Sequence, residues 1–213
     1  MMMKKSTGYV LLTVFGLLSL SLAASVHATD IDKLVDTCTQ CHERDGASGD
    51  PNIPIIGGYS EQYIIGSMTN YKNKVRSCPE IEYISENKTL ESTDMCRISS
   101  ALSKEDIEQV AQYYASKRFR RANQTFDPKL ARKGALIHDR DCEKCHSEGG
   151  GVAEDDSGIL AGQWKPYLKQ QFFAFYAEKR RLDKRMEPKF NKLDKTEIEA
   201  LLNFYASRGS ICP

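Results

Sequence analysis

The 213-residue sequence is short of apolar material, with 40 % of its residues hydrophobic against roughly 45–50 % in ordinary globular chains. Beyond the N-terminus it lacks any apolar run long enough to cross a bilayer. It also lacks a charge excess. Lys and Arg number 30 against 29 Asp and Glu, a formal net charge of +1, so the overall basicity of a nucleic-acid binder is missing. A chain this polar, divided into small units, cannot bury enough side-chain surface unaided and needs another source of core. What it does have is cysteine: seven, an odd number that cannot pair completely.

The one apolar run is an address. Lys4 and Lys5 precede a mostly apolar stretch from Tyr9 to Leu22, and Val26-His27-Ala28 has the small-residue pattern of a cleavage site. Residues 1–28 read as a signal peptide, with an uncleaved anchor as the rival. Cleavage leaves residues 29–213 in the periplasm, not integral to the membrane, with 28 basic residues against 29 acidic ones. Export also brings an oxidising compartment, where disulfides persist.

Four cysteines fall in two copies of one pattern, Cys38-Thr39-Gln40-Cys41-His42 and Cys142-Glu143-Lys144-Cys145-His146. C-x-x-C-H marks c-type haem attachment. Two thiols three positions apart on a helical turn reach the two vinyl groups of one haem edge, and the next imidazole then ligates the iron. A zinc ribbon wants its Cys pairs about 15–20 residues apart, whereas these lie about a hundred apart. A dithiol redox motif requires no following His, and here one follows twice.

The motifs sit in a duplicated unit. A shift of 104 positions puts Gly58 on Gly162, Tyr63 on Tyr167 and Ile64 on Leu168. A shift of 91 puts Met95 on Met186, Leu102 on Leu193, Ile107 on Ile198, and Tyr113-Tyr114-Ala115-Ser116 on Phe204-Tyr205-Ala206-Ser207. The difference of 13 is an insertion in the first copy, between about Tyr71 and Met95. Two related domains follow, 29–116 and 125–213, joined by a linker at 117–124. Both read as all-α. Ile31, Leu34, Val35 and Cys38 recur at helical spacing, and Asp127-Pro128 looks like an N-cap before a first-turn proline. The last helix of each copy opens on a capping box, Ser103-x-x-Asp106 or Asp194-x-x-Glu197. Under a hundred residues of helix make a thin core, which a covalently held porphyrin would complete.

A haem iron held by one His needs a second axial group, and a methionine thioether suits electron transfer. Met95 and Met186 hold equivalent places in the repeat, which favours them over core packing. Met68 competes in the first copy but lies on a middle helix opposite Phe172, a core position. His138 has no partner in the first copy and reads as a surface or hydrogen-bonded residue. With His and Met both bound, neither iron has an open position, so one-electron transfer is expected rather than catalysis. Of the remaining cysteines, Cys78 and Cys96 bracket the insertion and are expected to bridge, pinning the loop that carries Met95. Cys212 is left without a role. Residues 29–116 carry 8 Lys and Arg against 15 Asp and Glu, net −7, and residues 117–213 carry 20 against 14, net +6. The basic residues cluster at 117–121 and at 179–185, the latter just before Met186, where they could steer an acidic partner.

These residues carry a resemblance. The two motifs, each with its downstream Met, look like the diheme class I cytochromes c. Gly134-x-x-x-His138-Asp139 leading into the second motif, Ile159-Leu160-Ala161-Gly162-Gln163-Trp164, and Glu178-Lys179-Arg180-Arg181 before Met186 resemble the cytochrome subunit of flavocytochrome c sulfide dehydrogenase. The resemblance implies two tandem class I cytochrome c domains with two covalent haems c, attached at Cys38/Cys41 and Cys142/Cys145. It implies axial pairs His42–Met95 and His146–Met186, with a backbone carbonyl near Pro54, and its counterpart Gly158, orienting each imidazole. It further implies no catalysis by this chain alone. A partner subunit carrying FAD would oxidise sulfide, and a soluble or membrane acceptor would take the electrons onward. A free periplasmic carrier to a terminal oxidase, with no flavin partner, is the alternative, and a thiosulfate- or nitrite-type haem catalyst is a third reading that the two Met ligands oppose. The sequence departs from the class in having Glu43 and Ser147, rather than Gly, after the motifs, and in the length of its cysteine-bracketed insertion.

Overall fold

The computed structural model describes residues 30–84 and 89–209. The expected signal peptide and Cys212 lie outside the described residues.

In the first half, helix α1 (Ile31–His42) starts at Asp30, whose side chain accepts from Asp32 N, and carries the whole first motif. Helix α2 (Glu61–Lys72), capped by Ser60, buries Ile64 and Met68. The insertion then forms a hairpin, β1 (Ile81–Ile84) antiparallel to β2 (Leu90–Thr93), with Ile81 opposite Thr93. An all-helical reading had no place for it. β-Branched and aromatic residues such as Ile81, Tyr83 and Thr93 suit a pleated surface, and a disulfide between Cys78 and Cys96, Cα atoms 5.7 Å apart, closes the base. Helix α3 (Met95–Ala101) is capped by Asp94. Helix α4 (Lys104–Ala115) opens on the full Ser103/Asp106 capping box and buries Ile107, Val110, Ala111 and Tyr114.

The second half repeats the plan with α5 (Pro128–Asp141), a single turn α6 (Ser147–Gly150), α7 (Lys165–Tyr176), a short α8 (Glu187–Phe190) and α9 (Lys195–Ser207). Both ends of α2 and α7 are 104 positions apart. Helix α9 opens on the Asp194/Glu197 capping box. Gly134 is where α5 crosses α9: a Cβ there would stand 2.1 Å from the Ala200 carbonyl oxygen. One feature breaks the repeat. Helix α5 stops at Asp141, and the second motif is a turn in which Cys145 N and His146 N both donate to Cys142 O, at 3.1 and 3.0 Å.

Each half has its own core, one built on Val35, Ile64, Met68, Val110 and Tyr114, the other on Ile137, Leu168, Phe190, Leu201 and Tyr205. The halves interlock, because Ile159 of the second lies in the core of the first. Their seam is an exchange between repeat-related positions. Tyr59 Oη donates to Ile159 O at 3.3 Å, while Gln163 Nε2, 104 positions after Tyr59, donates to Ile55 O at 2.8 Å. The linker is part of the seam. Ala122 N donates to Gly162 O at 2.7 Å, Gln124 Nε2 donates to Gln163 O at 2.7 Å, and Phe119 stacks on Tyr59.

Candidate haem sites

The first site is a cavity of about 1070 Å³ whose lining includes Cys38, Cys41, His42, Met68 and Met95. Helix α1 delivers the thiols and the imidazole, and the first residue of α3 delivers the Met95 thioether. His42 Nδ1 lies 3.0 Å from Pro54 O. A carbonyl only accepts, so Nδ1 carries the proton and donates, leaving the Nε2 lone pair for a metal. Burial holds this imidazole below its usual pKa, and burial pushes the Cys38 thiol up to about 11. Tyr114, whose buried hydroxyl has no partner among the described residues, also lines the cavity. Two thiols, an imidazole and a thioether on the wall of one largely apolar cavity form a donor set that fits a covalently held haem.

The second site is organised differently. His146 is brought down to about 4 by burial and by the neighbouring His138, so it too is neutral with a free lone pair at pH 7. Its Nδ1 is buried and has no hydrogen-bond partner among the described residues, so the expected carbonyl at Gly158 does not orient it. Gly158, at φ +77°, instead makes room for the first half: a Cβ there would stand 2.6 Å from the Tyr63 ring. The turn is held from His138. This residue is fully buried, not at the surface, and hydrogen-bonded. Its Nδ1 accepts from Tyr205 Oη at 2.9 Å, and its Nε2–H points at Glu143 Oε2 (2.7 Å) and His146 O (3.0 Å). Glu143 accepts in turn from Glu148 N and Gly149 N. Cys142 and Met186 both pack against the second core, and Cys145 is exposed.

The basic runs are only partly free. Lys179, Arg181, Lys184 and Arg185 are exposed ahead of Met186, but Arg180 turns inward to Gln171 and Tyr63. In the linker, Lys117 lies over the Tyr113 ring, and Arg120 pairs with Asp45 at 2.9 Å. The sequence reading assigned no role to Gln163 or Arg76. Their signal was the 104-residue shift, which pairs Gln163 with Tyr59 and Arg180 with Arg76.

No family model matches the chain. It is 30 % identical over 205 residues to a cytochrome c4 of Stutzerimonas stutzeri, covering 88 % of this chain and 94 % of that protein. To a cytochrome c4 of Pseudomonas aeruginosa it is 28 % identical over 206 residues, covering 91 % and 94 %. The crystal structure of reduced recombinant cytochrome c4 from Pseudomonas stutzeri matches with a TM-score of 0.64 at 27 % identity, covering 84 % of this chain and 98 % of that one. The mostly helical fold of two class I cytochrome domains is the one expected. These relatives carry the expectation of a diheme class I cytochrome c; they do not extend to the narrower one of a flavocytochrome subunit.

Proposed function

The chain belongs to the cytochrome c4 family, and from that premise we propose that it is a periplasmic diheme electron carrier, accepting and passing on single electrons. The observation that carries this reading is the first cavity, which gathers Cys38, Cys41, His42 and Met95 on its wall, together with the recurrence of the same residues as Cys142, Cys145, His146 and Met186. Each bound haem supplies an iron that changes charge by one electron. Cys38 and Cys41 hold one haem covalently, and Cys142 and Cys145 the other. His42 with Met95, and His146 with Met186, take the axial positions. The Pro54 carbonyl keeps the proton on His42 Nδ1 and the ring aimed inward. Thioether ligation raises the potential and closes the iron to substrate, which suits a carrier rather than a catalyst. The Cys78–Cys96 bridge anchors the segment that begins α3 and so holds Met95 in place.

The exposed cations before Met186, in a half of net charge +6, favour an acidic protein docking near the second haem. A sulfide-oxidising, FAD-containing flavoprotein as electron donor is the narrower reading. It is supported by the residues around the second motif that resemble the flavocytochrome subunit, and a soluble or membrane acceptor completes the path. Native purification followed by flavin and haem assays of one peak, with sulfide added, tests both. Two haems per chain without flavin is the result expected of a free carrier, whereas co-eluting flavin and reduction by sulfide establish the flavoprotein partner. Strong carbon monoxide binding by the reduced protein would refute closed His/Met sites.

A further inference from the structure

Two arginines at the seam have no part in this reading. Arg76 is 6 % exposed and lines the first cavity. Arg180, 104 positions later, faces it in an isolated antiparallel bridge, with Ser77 N donating to Lys179 O at 2.8 Å. The pair exchange partners between the halves. Arg76 Nη2 donates to Tyr167 Oη at 3.0 Å and Arg180 Nη2 to Tyr63 Oη at 3.3 Å, and these two tyrosines are themselves repeat-related. Both guanidiniums also donate to one atom, Gln171 Oε1, from 2.7 and 2.8 Å. Aromatic rings underlie them, Tyr71 beneath Arg76 and Phe175 beneath Arg180.

Among the described residues neither guanidinium meets a carboxylate. Two permanent cations converge on a single amide oxygen, one of them buried, and neutral hydroxyls and amides do not cancel their charge. Tyr63 registers the field: burial would raise its phenol, yet Arg180 and Arg76 bring it down to about 8. Arg76 Nε and Nη1 make no hydrogen bond among the described residues, so the fork retains free donors at the cavity wall. Such a fork matches a carboxylate.

We propose that Arg76 and Arg180 form a carboxylate-binding site spanning the two halves, which takes a propionate of the haem held at Cys38 and Cys41. This rests on the haem reading above and goes beyond it by assigning the acidic edge of the group. Arg76 contacts the carboxylate. Arg180, which does not line the cavity, is a positioning residue that holds Tyr63 and Gln171 beside it. The first haem therefore depends on a residue of the second domain.

The test uses the full-length holoprotein and reads equilibrium potentials by visible-band titration, with a haem count for each variant. Arg76→Gln removes a cation near the iron and favours the ferric form. The expected result is one potential lowered by about 59 mV, a tenfold fall in the reduced-to-oxidised ratio at fixed potential, with two haems per chain retained. Arg76→Lys, which keeps the charge, restores most of that shift, and Arg180→Gln lowers the same potential by a smaller amount. A purely structural role would weaken stability in the Gln and Lys variants alike and leave the potentials in place. Unmoved potentials in a diheme Arg76→Gln protein overturn this inference alone, and a wild-type chain without covalent haem overturns it together with the carrier reading. If Arg76→Gln does not fold, an unchanged potential in Arg180→Gln overturns it. Inorganic phosphate at constant ionic strength should not move the wild-type potential; a phosphate-dependent shift would assign the site to a free anion instead.

Discussion

Replacing Gln163 by Leu tests whether one buried amide fastens the two halves. The side chain is 0 % exposed. Its Oε1 accepts from Ile55 N and Trp164 N, both at 3.0 Å, and its Nε2 donates to Ile55 O and Tyr59 Oη, both at 2.8 Å. Leucine has a similar volume, so packing changes little, but it strands both backbone groups of Ile55, which is 2 % exposed. Each buried group left without a partner costs about 1–3 kcal/mol. Trp164 N is in a partly exposed residue and can turn to water, and Tyr59 keeps its bond to Ile159 O. The sum over Ile55 is therefore about 2–6 kcal/mol, with about 3 a central figure. In a chain of this size that lowers the melting temperature by roughly 6–12 °C. Calorimetry of the holoprotein should show the drop, with the single transition separating into two as the seam loosens. A Leu variant melting within about 2 °C of wild type, less than 1 kcal/mol, would refute the role given to this amide.

Met186→Ala should open the second iron, so that the reduced protein binds carbon monoxide at one haem and the lower of the two potentials falls further; unchanged spectra and potentials would remove Met186 from the ligand set. Replacing Cys78 and Cys96 together by Ser releases a loop of sequence separation 18, which the chain-entropy relation values at about 3 kcal/mol; an unshifted urea midpoint would contradict this. The Gly149 backbone N–H, with His138 and the Glu148 N–H, holds the Glu143 carboxyl below the usual carboxylate range despite some burial. Its contribution is full above the unfolded value of about 4.3 and is lost as pH falls through the lower folded value, since the unfolded chain binds more protons there. Glu143→Gln should flatten that acid limb of the stability curve, and parallel curves for variant and wild type would show that the contact contributes nothing.

Much of this architecture was readable from local pattern. The capping boxes at Ser103 and Asp194, the proline start of α5 and the helical run into Cys38 depend on residues within a turn of one another, and each lies where its spacing placed it. The repeat located the paired helices α2 and α7 to the residue. What escaped was non-local or irregular. The hairpin arises in a stretch with no counterpart in the other copy, so the repeat was silent about it. The second motif looked helical by analogy with the first, but α5 ends one residue before it, and the turn beyond needs positive φ at Glu148 and Gly149. His138 seemed peripheral because its partners, Tyr205 and the carbonyl of His146, come together only in the folded chain. The seam was invisible for the same reason: Gln163 and Ile55 are 108 positions apart.

The exchange of Tyr59 with Ile159 against Gln163 with Ile55, and of Arg76 with Tyr167 against Arg180 with Tyr63, has the form of an isologous interface, in which surface i meets surface j and j meets i. Within a single chain, that symmetry is the imprint of a two-fold homodimer fused into one polypeptide. Fusion makes the encounter intramolecular, and the short 117–124 connection supplies an effective concentration in the millimolar range. Contacts too weak to hold two free subunits together in dilute solution thereby become permanent. Once subunit exchange is impossible, the two copies are free to diverge: one acquired a disulfide-closed hairpin and a negative charge, the other a basic face, neither of which a symmetric ancestor could have displayed on one side alone.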